Sequence, residues 1–213
     1  MGHRGSDLRR RPPTKSVKRR FYIYCEGRNT EPDYFRAMKT KVRGALIELR
    51  IKPEGKDPET MASAAEADAR RIRSARNSYE QDDQVWCVFD HDGRHEPVHK
   101  AREICHAGGV GIAFSNPCFE VWLLLHYDDY NKACDSKQAQ CDLEPRLPGY
   151  DKNRSKTADF TGLIASVKEA ETRAERQLAR REEEGNPNGA PSTTVVHLTR
   201  AIADAAAQFR RPA

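Results

Sequence analysis

Three carboxylates stand directly after apolar runs: Glu26 in Cys25-Glu26-Gly27, and Asp90 and Asp92 in Phe89-Asp90-His91-Asp92. If the two runs are neighbouring strands, these acids share one crevice and repel one another unless a cation neutralises them. Hard oxygen donors with open positions suit Mg²⁺, or Mn²⁺ in its place. Such an ion takes one or two carboxylates plus water and substrate phosphate. The pattern therefore points to a metal site for phosphate-ester chemistry. Plainer roles compete: Glu26 as an exposed loop residue, and Asp90-x-Asp92 as turn chemistry before Gly93. His91 and His95 are near enough to ligate or shuttle protons, although loop histidines more often simply face solvent.

Other polar residues have two readings each. Glu120, early in an apolar segment, either complements a helix dipole or points into the crevice. Glu31 is read first as a complement to the helix macrodipole. Arg28 and the following helix start could hold a phosphate. Lys152, Arg154 and Lys156 form a basic loop that either contacts a phosphodiester backbone or is merely solvated. His126 reads as a helix-end residue. Six cysteines occur without a CxxC pair. Cys25, Cys87 and Cys118 fit as small hydrophobes. A zinc cluster of Cys134, Cys141 and nearby histidines is a minor alternative, since the spacing matches no familiar zinc module. No GxxxxGK[ST], GxGxxG or GxSxG motif is present, so no ATP-hydrolysing phosphate cradle is expected.

The elements that must position these residues follow from hydrophobic periodicity. Phe21 to Cys25 reads as a strand leaving through Glu26-Gly27, where glycine permits a tight turn. Thr30 caps a helix with Pro32 in its first turn, carrying Tyr34, Phe35 and Met38 inward. Ala45 to Ile51 is a second strand, and Lys52 to Glu59 a polar loop. Thr60 caps a helix from Met61 to Asn77. Val85 to Phe89 is continuously apolar, as in a strand covered on both faces. A helix from Val98 to Ala107 and a strand from Gly111 to Phe114 follow. Asn116 then caps a deeply buried helix, Phe119 to Tyr127, with Pro117 at its first position. Residues 128–156 read as irregular, Phe160 to Glu184 as one long charged helix, Gly185 to Ser192 as a break, and Val195 to Phe209 as a last helix. The alternation predicts an α/β, mostly parallel open sheet flanked by helices, with a helical C-terminal extension.

Length sets the frame. The 213 residues suit one compact domain. They divide into a basic, disordered tail (1–20), an α/β core (21–127), and a loop and helical C-terminal part of the same domain (128–213). Basic and acidic residues number 37 and 32, for a net charge of +5, which permits a nucleic-acid partner without demanding one. No apolar run approaches the ~18–20 residues that span a bilayer, and no apolar stretch follows the basic N-terminus as in a secretory signal. The expected location is the cytoplasm, with no membrane partner; an oligomer is left open.

Several spaced motifs resemble the RloB-like family. They are Tyr24-Cys25-Glu26-Gly27 with Thr30-Glu31-Pro32 and Tyr34-Phe35, then Val88-Phe89-Asp90-His91-Asp92, then the segment from Ser115-Asn116-Pro117 through His126. Tyr150-Asp151-Lys152 and Pro191 to Leu198 are similar too. The resemblance runs from about residue 20 to the C-terminus and implies a Toprim-like (Rossmann-like) fold. It implies Glu26 as general acid/base or metal ligand, and Asp90 and Asp92 as the main ligands of Mg²⁺ in phosphodiester chemistry. Glu31, Asn116 and Glu120 also match its motifs, Glu120 as a further candidate catalytic residue. Tyr34 does not inherit the topoisomerase nucleophile's role, because that tyrosine lies outside the Toprim unit. RloB-like proteins are associated with abortive-infection phage defence of the AbiLii-like kind, beside an ABC-type ATPase of the RloA-like kind. The missing phosphate cradle agrees with ATP hydrolysis by another chain.

The leading expectation is a Mg²⁺-dependent nuclease acting on DNA or RNA as a defence effector. The alternative is a non-catalytic adaptor that docks on the ATPase or on nucleic acid, motivated by the charged helix and basic tail. Nucleotidyl transfer of primase type would need a nucleoside-triphosphate site that the sequence does not display.

Overall fold

A computed structural model describes residues 18–42, 47–53, 57–76, 80, 82–154, 156 and 158–208. The expected tail through residue 17, Ala45 and Leu46 of the second strand, and the helix ends at Asn77 and Phe209 lie outside the described residues.

The strands are β1 (Arg19–Cys25), β2 (Ile47–Pro53), β3 (Gln84–Asp90), β4 (Gly111–Asn116) and β5 (Ser192–Thr193). They form one sheet in the order β2-β1-β3-β4-β5. The first four run parallel, and β5 is antiparallel to β4. Helices α1 (Thr30–Lys41), α2 (Pro58–Arg73) and α3 (His95–Gly108) connect the parallel strands. Then come α4 (Glu120–Leu124), α5 (Ser136–Leu143), α6 (Thr161–Ala165), α7 (Val167–Glu183) and α8 (Val195–Gln208). The expected fold class is thus observed: an open, mostly parallel five-stranded sheet flanked by helices, in agreement with a Toprim- or Rossmann-like architecture.

Strand alternation explains the two layers. Phe21, Ile23 and Cys25 face one side with Leu49, Val88 and Ala113, where Tyr34, Phe35 and Met38 of α1 and Trp122 of α4 cover them. Tyr22 and Tyr24 face the other with Val85, Cys87 and Phe89, under Met61 and Ala65 of α2 and Val98 and Cys105 of α3. A strand buried on both faces must be apolar throughout, which is why Val85 to Phe89 shows no alternation of polarity. Chain order reverses around β1: β2 lies on one side of it and β3 on the other. The carboxyl ends of β1 and β3 therefore flank the topological switch point, where open α/β sheets leave a crevice.

Several local expectations change. β1 begins at Arg19, so Arg19 and Arg20 belong to the sheet rather than the tail; the Arg20 N–H donates to Asp83 Oδ1 at 2.8 Å. β2 runs to Pro53, into the expected loop. Helix α2 is capped by Asp57, whose Oδ1 accepts from the Thr60 N–H at 3.0 Å, so Thr60 is the capped residue rather than the cap. The Thr30 side chain does not cap α1; its hydroxyl donates to the Lys156 carbonyl at 3.0 Å. Helix α3 starts at His95, three residues early.

Asn116 is not a helix cap. It is the last residue of β4, its Nδ2 donates to the Asn188 carbonyl at 2.6 Å, and the Asn116–Pro117 peptide is cis. The buried apolar segment after it forms only the short α4, followed by tight turns. The region expected to be irregular holds α5, capped by Asp135, whose Oδ1 accepts from the Gln138 N–H at 2.7 Å. The long charged helix divides at Ser166, where ψ of 21° leaves the helical range. β5, two residues long, was not expected.

Candidate functional site

β1 and β3 pair in parallel with Cys25 opposite Val88, and the Glu26 N–H donates to the Val88 carbonyl at 3.0 Å. Each strand thus delivers an acid to the same end of the sheet. The Asp90 N–H donates to Glu26 Oε2 at 3.3 Å, which locks the two residues together. After Asp90 the chain turns. The His91 N–H donates to the Ser115 carbonyl at 2.8 Å and the Asp92 N–H to the Pro117 carbonyl at 3.0 Å. Asp92 (φ 43°) and Gly93 (φ 71°) take left-handed backbone, which Asp tolerates and Gly favours. This turn brings the Asp92 side chain back over the crevice.

A cavity of about 260 Å³ opens there, lined by Glu26, Glu31, Asp90, Asp92 and Glu120, with Arg28 and Lys156 on it as well. Five carboxylates meet: the three strand-end acids, Glu120 in the crevice-facing one of its two readings, and Glu31. Glu31, expected to serve the helix dipole, is buried; its Oε1 accepts from the Gly27 N–H at 3.1 Å. A Cβ at position 27 would collide with that carboxylate. Gly27 therefore makes room for Glu31, a different reason from the turn expected of it. Glu120 is buried too, and Tyr150 Oη donates to its Oε1 at 2.6 Å.

Burial sets the protonation. Asp90 is only half-buried as a residue, yet its Oδ1 is sealed from solvent and has no hydrogen-bond partner among the described residues. Its carboxyl is pushed well above the usual range, first by burial and then by the negative charges of Glu31, Glu120, Asp92 and Glu26. Burial raises Glu31 to about 7, with Glu120 and Glu26 adding to the rise. Glu26 is also raised by burial, against the opposing pull of Arg94. Burial beside Glu120 and Asp90 holds the Cys118 thiol protonated, so it is no thiolate nucleophile.

Arg94 was not expected here. Its Nη2 lies 2.6 Å from Glu26 Oε1, 3.6 Å from Asp92 Oδ2, and 3.5 Å from the Asp90 carbonyl it donates to. Ser136 Oγ of α5 donates to Asp92 Oδ1 at 2.5 Å. With side chains in these pairings, no three His, Cys, Asp or Glu among the described residues already converge as ligands around one point. The donor chemistry nonetheless fits a hard divalent cation: the groups are oxygens, their mutual repulsion is offset only in part by Arg94, and Asp90 Oδ1 is a buried acceptor without a donor among the described residues.

A family model described as RloB-like protein matches residues 21–202. The chain belongs to the RloB-like family. No curated protein and no solved structure matches it. In this RloB-like chain the motif residues Glu26, Glu31, Asp90, Asp92 and Glu120 come together at one cavity, and Arg28 joins them. Asn116 does not line it.

Of the basic loop, Lys156 lines the cavity, whereas Lys152 and Arg154 do not. Lys152 Nζ pairs with Glu144 Oε2 at 2.5 Å, and Arg154 Nε with Asp151 Oδ2 at 3.4 Å. His126 is a core residue; its ring bonds to Tyr34 Oη at 3.2 Å and to the Trp122 carbonyl at 3.0 Å. All six cysteines are free, and Cys134 and Cys141 are half-buried. Arg94 and Tyr150 are the contributors that sequence reading missed. Arg94 follows the turn by two residues, so its position was its only signal. Tyr150 lies in the Tyr150-Asp151-Lys152 segment that is similar to the family, a signal that marks the position without giving its role.

Proposed function

We propose that this RloB-like protein is a Mg²⁺-dependent nuclease of Toprim type, hydrolysing phosphodiesters of DNA or RNA as the effector of an abortive-infection defence system. One observation carries the reading: a buried, unpartnered Asp90 oxygen within five carboxylates at the switch point. Such a cluster is unfavourable for folding alone and is rational as a cation site.

Asp90, Asp92 and Glu26 are the residues that would hold the ion. When bound, a divalent cation stabilises charge on the phosphoryl oxygens and acidifies a bound water. The chain's own groups do the rest. Arg28 and Lys156, on the cavity lining, hold the phosphate backbone. Glu31 keeps Oε1 on the Gly27 N–H, leaving Oε2 to take a proton from the attacking water; a carboxyl near 7 suits that exchange. Tyr150 fixes Glu120 in one rotamer by its hydrogen bond. Arg94 holds Glu26 until substrate arrives and then offers its guanidinium to the phosphate.

ATP hydrolysis falls to a partner, which we take to be an ABC-type ATPase of the RloA-like kind. The adaptor alternative has lost part of its motivation, because several charges of α7 are used within the fold. Arg176 pairs with Asp129 at 3.1 Å, and Arg200 of α8 with Glu171 at 3.8 Å.

The test incubates protein, with and without the ATPase, with tRNA, single strands and duplex DNA in Mg²⁺ or Mn²⁺. Cleavage by wild type and a loss of at least about 100-fold in Asp90→Ala/Asp92→Ala are expected. Equal cleavage by both would refute the nuclease. Tight ATPase binding without any cation binding would establish the adaptor.

A further inference from the structure

Asp90 and Asp92 line the carboxylate cavity, but His91 between them lines a second, larger cleft of about 600 Å³. The turn after β3 is thus a ridge between two concavities. We infer that the second cleft is the subsite for an unpaired nucleotide next to the cleaved phosphodiester, so that the substrate is single-stranded; this rests on the nuclease reading above.

The cleft is built of groups that recognise nucleotides. The buried Phe114 ring lies beneath its floor, covered by the Arg102 guanidinium 5.3 Å from the ring centroid. Arg102 Nη1 donates to Asn188 Oδ1 at 3.0 Å, and Asn116 Nδ2 donates to the Asn188 carbonyl at 2.6 Å. The far wall is therefore tied to α3 and β4 from two sides. The half-buried Arg102 guanidinium, held over that ring, offers a plane for a base and a donor to phosphate at once.

The histidines add directed donors. The Gly93 N–H points to His91 Nδ1 at 3.2 Å, so that nitrogen carries no hydrogen and Nε2 does. Nε2–H then donates to His95 Nδ1 at 3.3 Å, which leaves the His95 hydrogen on Nε2. The pair is consequently a relay ending in one N–H donor at the cleft. It is not a metal pair: freeing His91 Nε2 as a ligand would move its hydrogen to Nδ1, against the Gly93 N–H. Glu103, the acid lining this cleft, stands 3.6 Å from His99 Nδ1. The cleft thus offers donors and a stacking surface, while the cavity across the ridge offers negative oxygens.

The size is that of a small-molecule site, which commonly runs from ~300 to ~1,000 Å³. A base stacked within a duplex cannot enter such a cleft; an unpaired one can. A strand laid over the ridge at His91 would place one nucleotide in the cleft and the next phosphodiester beside Asp90 and Asp92.

The experiment is fluorescence anisotropy in EDTA, so that nothing is cleaved. Short single-stranded DNA and RNA oligonucleotides, and the same strands annealed to complements, are titrated with wild type, His95→Gln/Arg102→Ala, and His95→Gln alone. Wild type is expected to bind a single strand about tenfold or more tightly than its duplex. The double variant should lose about tenfold for single strands while its Mg²⁺ affinity stays that of wild type. His95→Gln, which leaves the Arg102 guanidinium in place, should show part of that loss. Unchanged single-strand affinity in both variants, or equal affinity for duplex, would overturn the inference. Cleavage in Mg²⁺ with cleft-independent binding would do so and leave the nuclease standing; cleft-dependent binding without cleavage would support the subsite and remove the nuclease.

Discussion

Arg94 Nη2 stands 2.6 Å from Glu26 Oε1, so the acid at the end of β1 is already neutralised by a cation of the chain's own. The same nitrogen lies 3.6 Å from Asp92 Oδ2. Arg94 is thus a counter-ion for the cavity and a competitor for any ion that enters it. Its side chain is about a third exposed, at 35%, which leaves it room to swing.

Arg94→Ala should therefore act in two directions. The metal-free protein should lose roughly 1–2 kcal/mol, because Glu26 is left half-buried without its partner and exposure screens part of the cost. Mg²⁺ affinity should rise a few-fold, since a competing positive charge is gone. Urea unfolding in EDTA and calorimetric Mg²⁺ titration check the two. Weaker Mg²⁺ binding in the variant would show that Arg94 supports the ion site instead of competing for it.

The raised carboxyls make stability depend on pH. Glu31 sits at about 7 in the folded chain, and Asp90 is displaced the same way. Unfolded carboxyls lie near ~4. Between these values the folded state binds more protons, so this contribution is complete below the unfolded value and is lost as pH rises through about 7. In EDTA, Glu31→Gln should accordingly raise Tm relative to wild type at pH 8 and have little benefit at pH 5. Mg²⁺ should raise the wild-type Tm more at pH 8 than at pH 5, because ion and proton compete for the same oxygens. Scanning calorimetry in the four conditions decides; a Mg²⁺ effect independent of pH would contradict the assignment.

Gly27→Ala should be costly for a reason unrelated to backbone freedom. The added methyl meets the Glu31 carboxylate, and overpacking of this kind costs about 1–3 kcal/mol. Glu31→Ala should relieve most of it, so the double variant should be less destabilised than the sum of the two singles. Chemical denaturation of the three variants measures the coupling. Additive losses would mean that position 27 does not face Glu31.

The sheet was legible because its central strands β1 and β3 are apolar on both faces. Val85 to Phe89 and Phe21 to Cys25 announce themselves, and with them the strand-end acids Glu26, Asp90 and Asp92. Glu31 was misread because its place in the first turn of α1 explains an acid equally well through the helix dipole. Only the sheet's geometry shows that this turn looks into the crevice. Asn116 before Pro117 has the form of a helix start, but β4 continues through it and pairs with Ser192 of β5. A two-residue strand has no periodicity to detect. Helix α5 was missed because its eight residues bury only Ala139 and Leu143. Arg94 and Tyr150 act across loops, and no local spacing ties them to Glu26 or Glu120.

The central claim is that these carboxylates form a divalent-cation site anchored on Asp90. Calorimetric titration of Mg²⁺ into metal-free protein at pH 8, for wild type and Asp90→Asn, tests it most directly. The account predicts saturable binding by wild type with release of protons, and its loss in a variant that remains folded. No binding by wild type, or the same binding by Asp90→Asn, would contradict it.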